Sequence, residues 1–187
     1  MGDPRKQRKK YNTPRHPWEA ERIKEERELM KEYGLKNKKE VWKMNSMLKH
    51  IKKQTKDLIS RRGTPKAEED EKMFLAKLAK LNLINAGAKI EDVLDLHIKD
   101  VLERRLQTQM IRKGLAKTIK QARQFIVHGH VMVNGKKIDV PSYIVSSKEE
   151  NTIEFSPKSA LADEEHPERS NKQVVQEEAK DKEGGEE

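Results

Sequence analysis

Apolar residues recur at three- and four-residue steps through most of this chain and switch to alternation near residue 130, so the pattern predicts helices first and a small sheet after them. Residues 18–34 read as a helix broken at Gly34. Residues 39–62 place Val41, Met44, Met47 or Leu48, Ile51, Thr55 and Leu58 on one face, and Lys49, Lys52, Lys53 and Lys56 on the other. Thr64 with Pro65 predicts a capped helix start, and Met73, Phe74, Ala76, Leu78, Leu81 and Leu83 supply its apolar side. Ile90 to Leu96 link to a helix over residues 100–113, which carries Val101, Leu102, Leu106, Met110 and Ile111 on one stripe and leaves Arg104, Arg105 and Arg112 off it; Gly114 is placed to end it. Thr118 and Gln121 match a capping box that opens a helix over residues 119–127, expected to bury Ala122, Phe125 and Ile126 and to expose Lys120, Arg123 and Gln124.

After Gly129 two alternating runs flank Asn134-Gly135, the strongest short-range hairpin signal. Residues 143–145 and 152–155 read as two further strands. The fold class is therefore α+β: an extended arm over 1–18, a helical region over 19–97, a small unit of two helices and an antiparallel sheet over 98–160, and an acidic tail, expected to be disordered, over 161–187.

Composition sharpens this picture. Of 187 residues only 33% are hydrophobic and 39% are charged, with 4% aromatic, so the core is small and the polar arms are expected to order on a partner. The net charge of +9 is unevenly spread: the segment from Leu161 holds ten acids against four bases, which leaves +15 over residues 1–160. A basic body fits nucleic acid better than a membrane surface, because no long apolar run or lipidation signal is present. The absence of cysteine excludes a disulfide framework and a thiolate zinc site. Abundant Lys and Glu without Cys is also a thermophile-like balance.

The strongest charge signal lies between Arg104 and Lys137, where nine cations occur without one Asp or Glu. They are Arg104, Arg105, Arg112, Lys113, Lys117, Lys120, Arg123, Lys136 and Lys137. With no acid inside the run, the forks of Arg104 and Arg105 are expected to face phosphate oxygens. Helix starts attract anions through their free amides and dipole, so a phosphate is expected near Thr118, flanked by Lys117 and Lys120. The arm adds Arg5, Lys6, Arg8, Lys9, Lys10 and Arg15 as RNA contacts, and the lysine face of residues 39–62 reads as an RNA-facing ridge. His128 and His130 would share a strand face, but no Cys or acid adjoins them, so no metal is expected. Phe125 reads as core.

The run LERRLQTQMIRKGLAKTIKQARQFIVHGHVMVNGKKIDVPSYIV resembles the S-four RNA-binding domain. Together with LDLHIKDVLERRLQTQ and the GDPRKQRKKYNTPRHPW arm, it makes residues 1 to about 160 resemble the archaeal branch of the S-four family of small-subunit ribosomal proteins. The resemblance implies a primary binder of the 5′ domain of small-subunit (16S) ribosomal RNA. Such a protein docks on a multi-helix junction, nucleates assembly, and lies near the path of incoming messenger, with an influence on accuracy. It implies RNA contacts at Arg104, Arg105, Thr118, Lys120, Gln121, Arg123, Gln124, His128, His130, Asn134 and Lys136, with Asn134 and Gly135 also serving the turn. The expected partners are ribosomal RNA, neighbouring small-subunit proteins and messenger, in the cytoplasmic ribosome, with no membrane, cofactor or small-molecule substrate. The zinc site of some bacterial relatives cannot be carried over to a chain without cysteine.

Three rival functions remain to be separated from this one. An rRNA-modifying enzyme anchored by this domain would need a catalytic unit, and no Gly-rich cofactor loop, nucleophile elbow or apolar carboxylate pair is present. A small ribosome-rescue factor would lack the long helical region in front. A DNA-binding architectural protein would bind both duplexes alike.

Overall fold

The computed structural model describes residues 9–85, 87–163, 166 and 168. Arg5, Lys6, Arg8 and most of the acidic tail therefore lie outside the described residues.

Helix α1 (Ala20–Glu32) ends as its sequence predicts: Gly34 takes φ 56°, and the Leu35 amide bonds back to the Met30 carbonyl at 3.0 Å. Helix α2 (Lys38–Ser60) buries Val41, Met44, Leu48, Ile51 and Thr55, with the Thr55 hydroxyl donating to the Ile51 carbonyl at 3.0 Å. Helix α3 (Pro65–Lys80) starts at the expected proline. The Thr64 hydroxyl does not cap it; it donates to the Arg61 carbonyl instead, at 3.2 Å. A 3-10 turn, Glu91–Asp95, fills the link, and α4 (Ile98–Glu103) opens where the Asp100 carboxylate accepts the His97 amide at 2.7 Å. Side chains from α1, α2, α4 and residues 78–96 meet in a first core, in which Val93, Val101 and Leu102 are fully buried.

The expected helix over residues 100–113 is two helices. The chain leaves helical geometry at Arg104 and Arg105 before α5 (Leu106–Arg112) begins. Residues 143–145 explain the break. The Leu106 amide donates to the Tyr143 carbonyl at 2.8 Å, and the Val145 amide to the Arg104 carbonyl at 2.9 Å. Residues 143–145 are thus paired to the break and form no strand of the sheet. The polar side chains that follow complete the arrangement: Thr108 Oγ1 donates to the Leu102 carbonyl at 3.0 Å and Gln109 Nε2 to the Glu103 carbonyl at 2.9 Å. Carbonyls at a helix end find no partner within the helix, which is why α5 buries Thr108 and Gln109 beside Leu106 and Met110.

The break is also where the chain passes from the first core to a second. Leu106, Met110, Ala122, Phe125, Ile126, Val131, Val133, Val145, Ile153 and Leu161 form this second core. Helix α6 (Ile119–Val127) buries the three residues expected of it. Strand β1 (Val131–Val133) is central in an antiparallel sheet, between β2 (Lys136–Lys137) and β3 (Ile153–Phe155), with α7 (Ser147–Glu150) before β3. Asn134 and Gly135 both take positive φ, 51° and 72°, as a two-residue hairpin turn demands. The α+β class, with helices in front of a small three-stranded sheet, stands.

Candidate nucleic-acid interface

Within the basic run the structure separates the cations by type. All four arginines are ion-paired, each to an acid lying outside the run. Arg105, 1% exposed, meets Glu40 Oε2 at 2.8 Å. Arg123 meets Glu40 Oε1 at 2.9 Å. Arg104, 6% exposed, meets Glu150 at 2.8 Å and reaches the Val145 carbonyl at 3.3 Å, and Arg112 pairs with Glu103. By contrast Lys113, Lys120, Lys136 and Lys137 have no ion pair among the described residues.

Arg104 and Arg105 are therefore not on an exposed basic face. A planar fork suits a buried carboxylate better than an ammonium does, and the acids that the run lacks arrive from α2, α4 and α7. Arg123 belongs with them: it is half-buried, and it shares Glu40 with Arg105. Glu40 is the clasp between the two cores. Burial alone would raise its pKa, but the hydrogen bonds from Arg123 and Arg105 outweigh that and hold it below the usual carboxylate range. Glu26 is held down in the same direction: burial is outweighed by Trp42, Arg22 and Lys38. A carboxylate whose pKa is lower when folded stabilises above its unfolded pKa and loses that contribution as pH falls through the folded value. Stability is thus expected to be level near neutrality and to fall below about pH 4, measured as the urea midpoint across a pH series. A midpoint unchanged down to pH 3 would contradict the pairing.

The seam is closed by neutral contacts too. Gln107 Nε2 donates to the Ile119 carbonyl at 2.9 Å and the Gly34 carbonyl at 3.3 Å, and the Tyr33 hydroxyl to Glu103 at 2.9 Å. Burial and Glu103 together push the Tyr33 hydroxyl pKa well above its usual value. Beside the clasp lies a cavity of about 190 Å3 lined by Glu40, Lys43, Met44, Arg105, Arg123, Pro141 and Ser142.

The remaining predicted residues divide by what their side chains touch. Lys117, Thr118, Lys120, Gln124, His128, Asn134 and Lys136 are exposed around the start of α6 and the hairpin, as are Lys9, Lys10 and Arg15 on the arm. Thr118 Oγ1 accepts the Gln121 amide at 3.2 Å, the expected half of the box. Gln121 returns the contact one residue early, accepting the Lys117 amide at 2.8 Å, while its Nε2 donates to the Glu168 carbonyl at 2.9 Å. Asn134 Oδ1 accepts the Thr152 hydroxyl at 2.7 Å, so its side chain is engaged within the hairpin region. His128 and His130 do not share a strand face: one follows α6, the other precedes β1, and their rings stack at 6.3 Å. His130 Nδ1 lies 2.8 Å from Ser159 Oγ. Among the described residues no cluster could hold a metal ion, and no helix is long and apolar enough to cross a membrane.

Sequence reasoning counted Lys137 among the nine cations but gave it no contact of its own; its stem packs over the backbone at Gly129, where an added Cβ would overlap Lys137 Cε. The signal was present in the bare glycine two residues before β1. It missed Glu40 as well, because an acid in the first turn of a lysine-rich helix does not announce partners 65 and 83 positions away.

The model of the S4 domain matches residues 104–151, beginning at the passage between the cores. The small ribosomal subunit protein uS4 of Nanoarchaeum equitans is 52% identical over 165 residues, covering 88% of this chain and 92% of that protein. The uS4 of Methanococcus aeolicus is 52% identical over 91% of this chain and 96% of its own length. This chain belongs to the uS4 family. The uS4 of Methanothermobacter thermautotrophicus, 51% identical over 86% of this chain and 94% of its own, extends the same likeness. uS4 proteins are structural components of cytoplasmic ribosomes and not enzymes, so the modifying-enzyme rival falls.

Proposed function

We propose that this uS4 protein is a primary binder of the 5′ domain of small-subunit ribosomal RNA, and that it nucleates assembly there and borders the path of incoming messenger. The observation that carries the reading is the division of the basic run: Arg104, Arg105 and Arg123 are held in the fold, Arg112 stays exposed in its pair with Glu103, and the exposed lysines gather at the start of α6 and along the hairpin. Compact, hydrated ammonium groups suit contacts to phosphates along an RNA helix, which is recognised mainly through its backbone and shape. Lys9, Lys10 and Arg15 of the arm and the lysine face of α2 add further cations for the RNA, residues 98–160 form the docking unit, and neighbouring ribosomal proteins take the rest.

The test is a titration of the native chain, and of a Lys117→Ala, Lys120→Ala, Lys136→Ala, Lys137→Ala variant, against the 5′ domain and an equally long unrelated folded RNA over a range of salt. The native chain is expected to prefer the ribosomal RNA. The variant is expected to lose about tenfold to hundredfold in affinity and to show a salt slope shallower by about one per lysine. Equal native affinity for both RNAs would overturn the reading, and an unchanged slope would remove these lysines from it.

A further inference from the structure

Trp18 is 90% exposed, although indole is among the largest apolar surfaces a chain can bury. Its position is fixed. Arg22, in the first turn of α1, donates from Nη2 to the carbonyls of His16 and Pro17 at 2.9 and 3.0 Å, and is itself held by Glu26. Pro17 restricts φ just before the indole. Upstream, the Asn12 amide donates to Ser46 Oγ at 2.9 Å, and the Tyr11 ring sits 6.1 Å from that of Trp42. The arm thus lies docked on α2 from Tyr11 onward and presents Trp18 outward from a pinned turn.

We propose that Trp18 is a stacking platform for an unpaired base of the RNA. This rests on the RNA-binding reading above and names a mode of contact that the lysines cannot supply. Charge selects the partner: residues 4–18 hold six Lys/Arg and no acid, with Lys9, Lys10 and Arg15 exposed, so the approach to the indole is attractive to phosphate. Size selects it as well. The exposed chain neighbours of Trp18 include the polar Arg15, His16 and Glu19, whereas a protein partner would need a wider apolar patch around its anchor. A single base needs one indole face and no more. Because every base has such a face, the contact carries affinity and little sequence preference.

The experiment uses the full chain and the 5′ domain RNA. Trp18→Ala is expected to weaken binding about 5- to 150-fold, Trp18→Leu to fall with it, and Trp18→Phe to retain most of the affinity, since only a planar ring stacks. RNA is expected to quench the part of the tryptophan emission that is present in the native chain and missing in Trp18→Phe, which keeps Trp42 alone. Native-like binding by Trp18→Leu would mean apolar contact without stacking, and unchanged binding by Trp18→Ala would remove the platform; either result overturns the proposal. The native chain's preference for ribosomal over unrelated RNA tests the underlying reading separately. An exposed residue carries no folding burden, so equal urea midpoints are expected across the set.

Discussion

Glu40→Gln is expected to cost the fold about 3–5 kcal/mol, the range seen when one partner of a buried ion pair is removed. The size follows from Arg105. Its guanidinium is 1% exposed, Glu40 is its one ion-pair partner among the described residues, and its Nε and Nη1 already have no acceptor there. A glutamine keeps the shape and one acceptor oxygen but leaves the buried cation without a counter-charge. Arg123 is half-buried and can turn toward water, so Arg123→Gln is expected to cost only about 1 kcal/mol, like a more exposed pair. The deciding comparison is Glu40→Gln with Arg105→Met. Replacing a buried pair by neutral groups of similar size is often neutral or stabilising, so the double variant is expected to recover most of the loss. Urea unfolding followed by tryptophan emission measures all four chains. A double variant no more stable than Glu40→Gln alone would show that the uncompensated charge is not the cause.

Gly34→Ala is expected to cost about 3 kcal/mol, combining roughly 1–2 for a side chain at positive φ with about 1–3 for overpacking. A Cβ there would stand 2.7 Å from Ile119 Cγ2 and 2.9 Å from Gln107 Nε2, both seated in the seam. Neither can withdraw freely: Gln107 is fully buried and bonded to two carbonyls, and Ile119 opens α6. Gly63→Ala is the control, since Gly63 takes φ 100° with nothing within 4 Å of the added carbon. It should carry the backbone penalty alone. Equal losses at the two positions would show that the seam yields to the methyl group.

Helices with one apolar stripe were legible because burial and period say the same thing, as in α2 and α6. The Asn-Gly hairpin was legible because few residues tolerate its backbone. The helix break was not, since Leu106 and Met110 continue the stripe of Val101 and Leu102, and only main-chain pairing with residues 143–145 interrupts it. The charge of the candidate surface could be read, but its division could not. Arg104, Arg105 and Arg123 look like surface arginines until chain topology brings Glu150 and Glu40 against them. An acid-free run thus identified the basic segment, and pairing across the fold decided which of its cations remain outside.

The clasp at Glu40 also imposes an order of events on synthesis. A ribosome releases this chain amino end first, so α1, α2 and α3 emerge before either arginine that Glu40 holds. Until then the carboxylate stays hydrated and the first core lacks Val101 and Leu102, which α4 supplies. The main-chain pairing at the break waits longer still, for Tyr143 and Val145. Contacts so distant in sequence repay their loop-closure entropy only once they form. The amino-terminal helices therefore leave the ribosome as an incomplete half, and the full set of contacts that joins the halves waits for residue 145 to emerge.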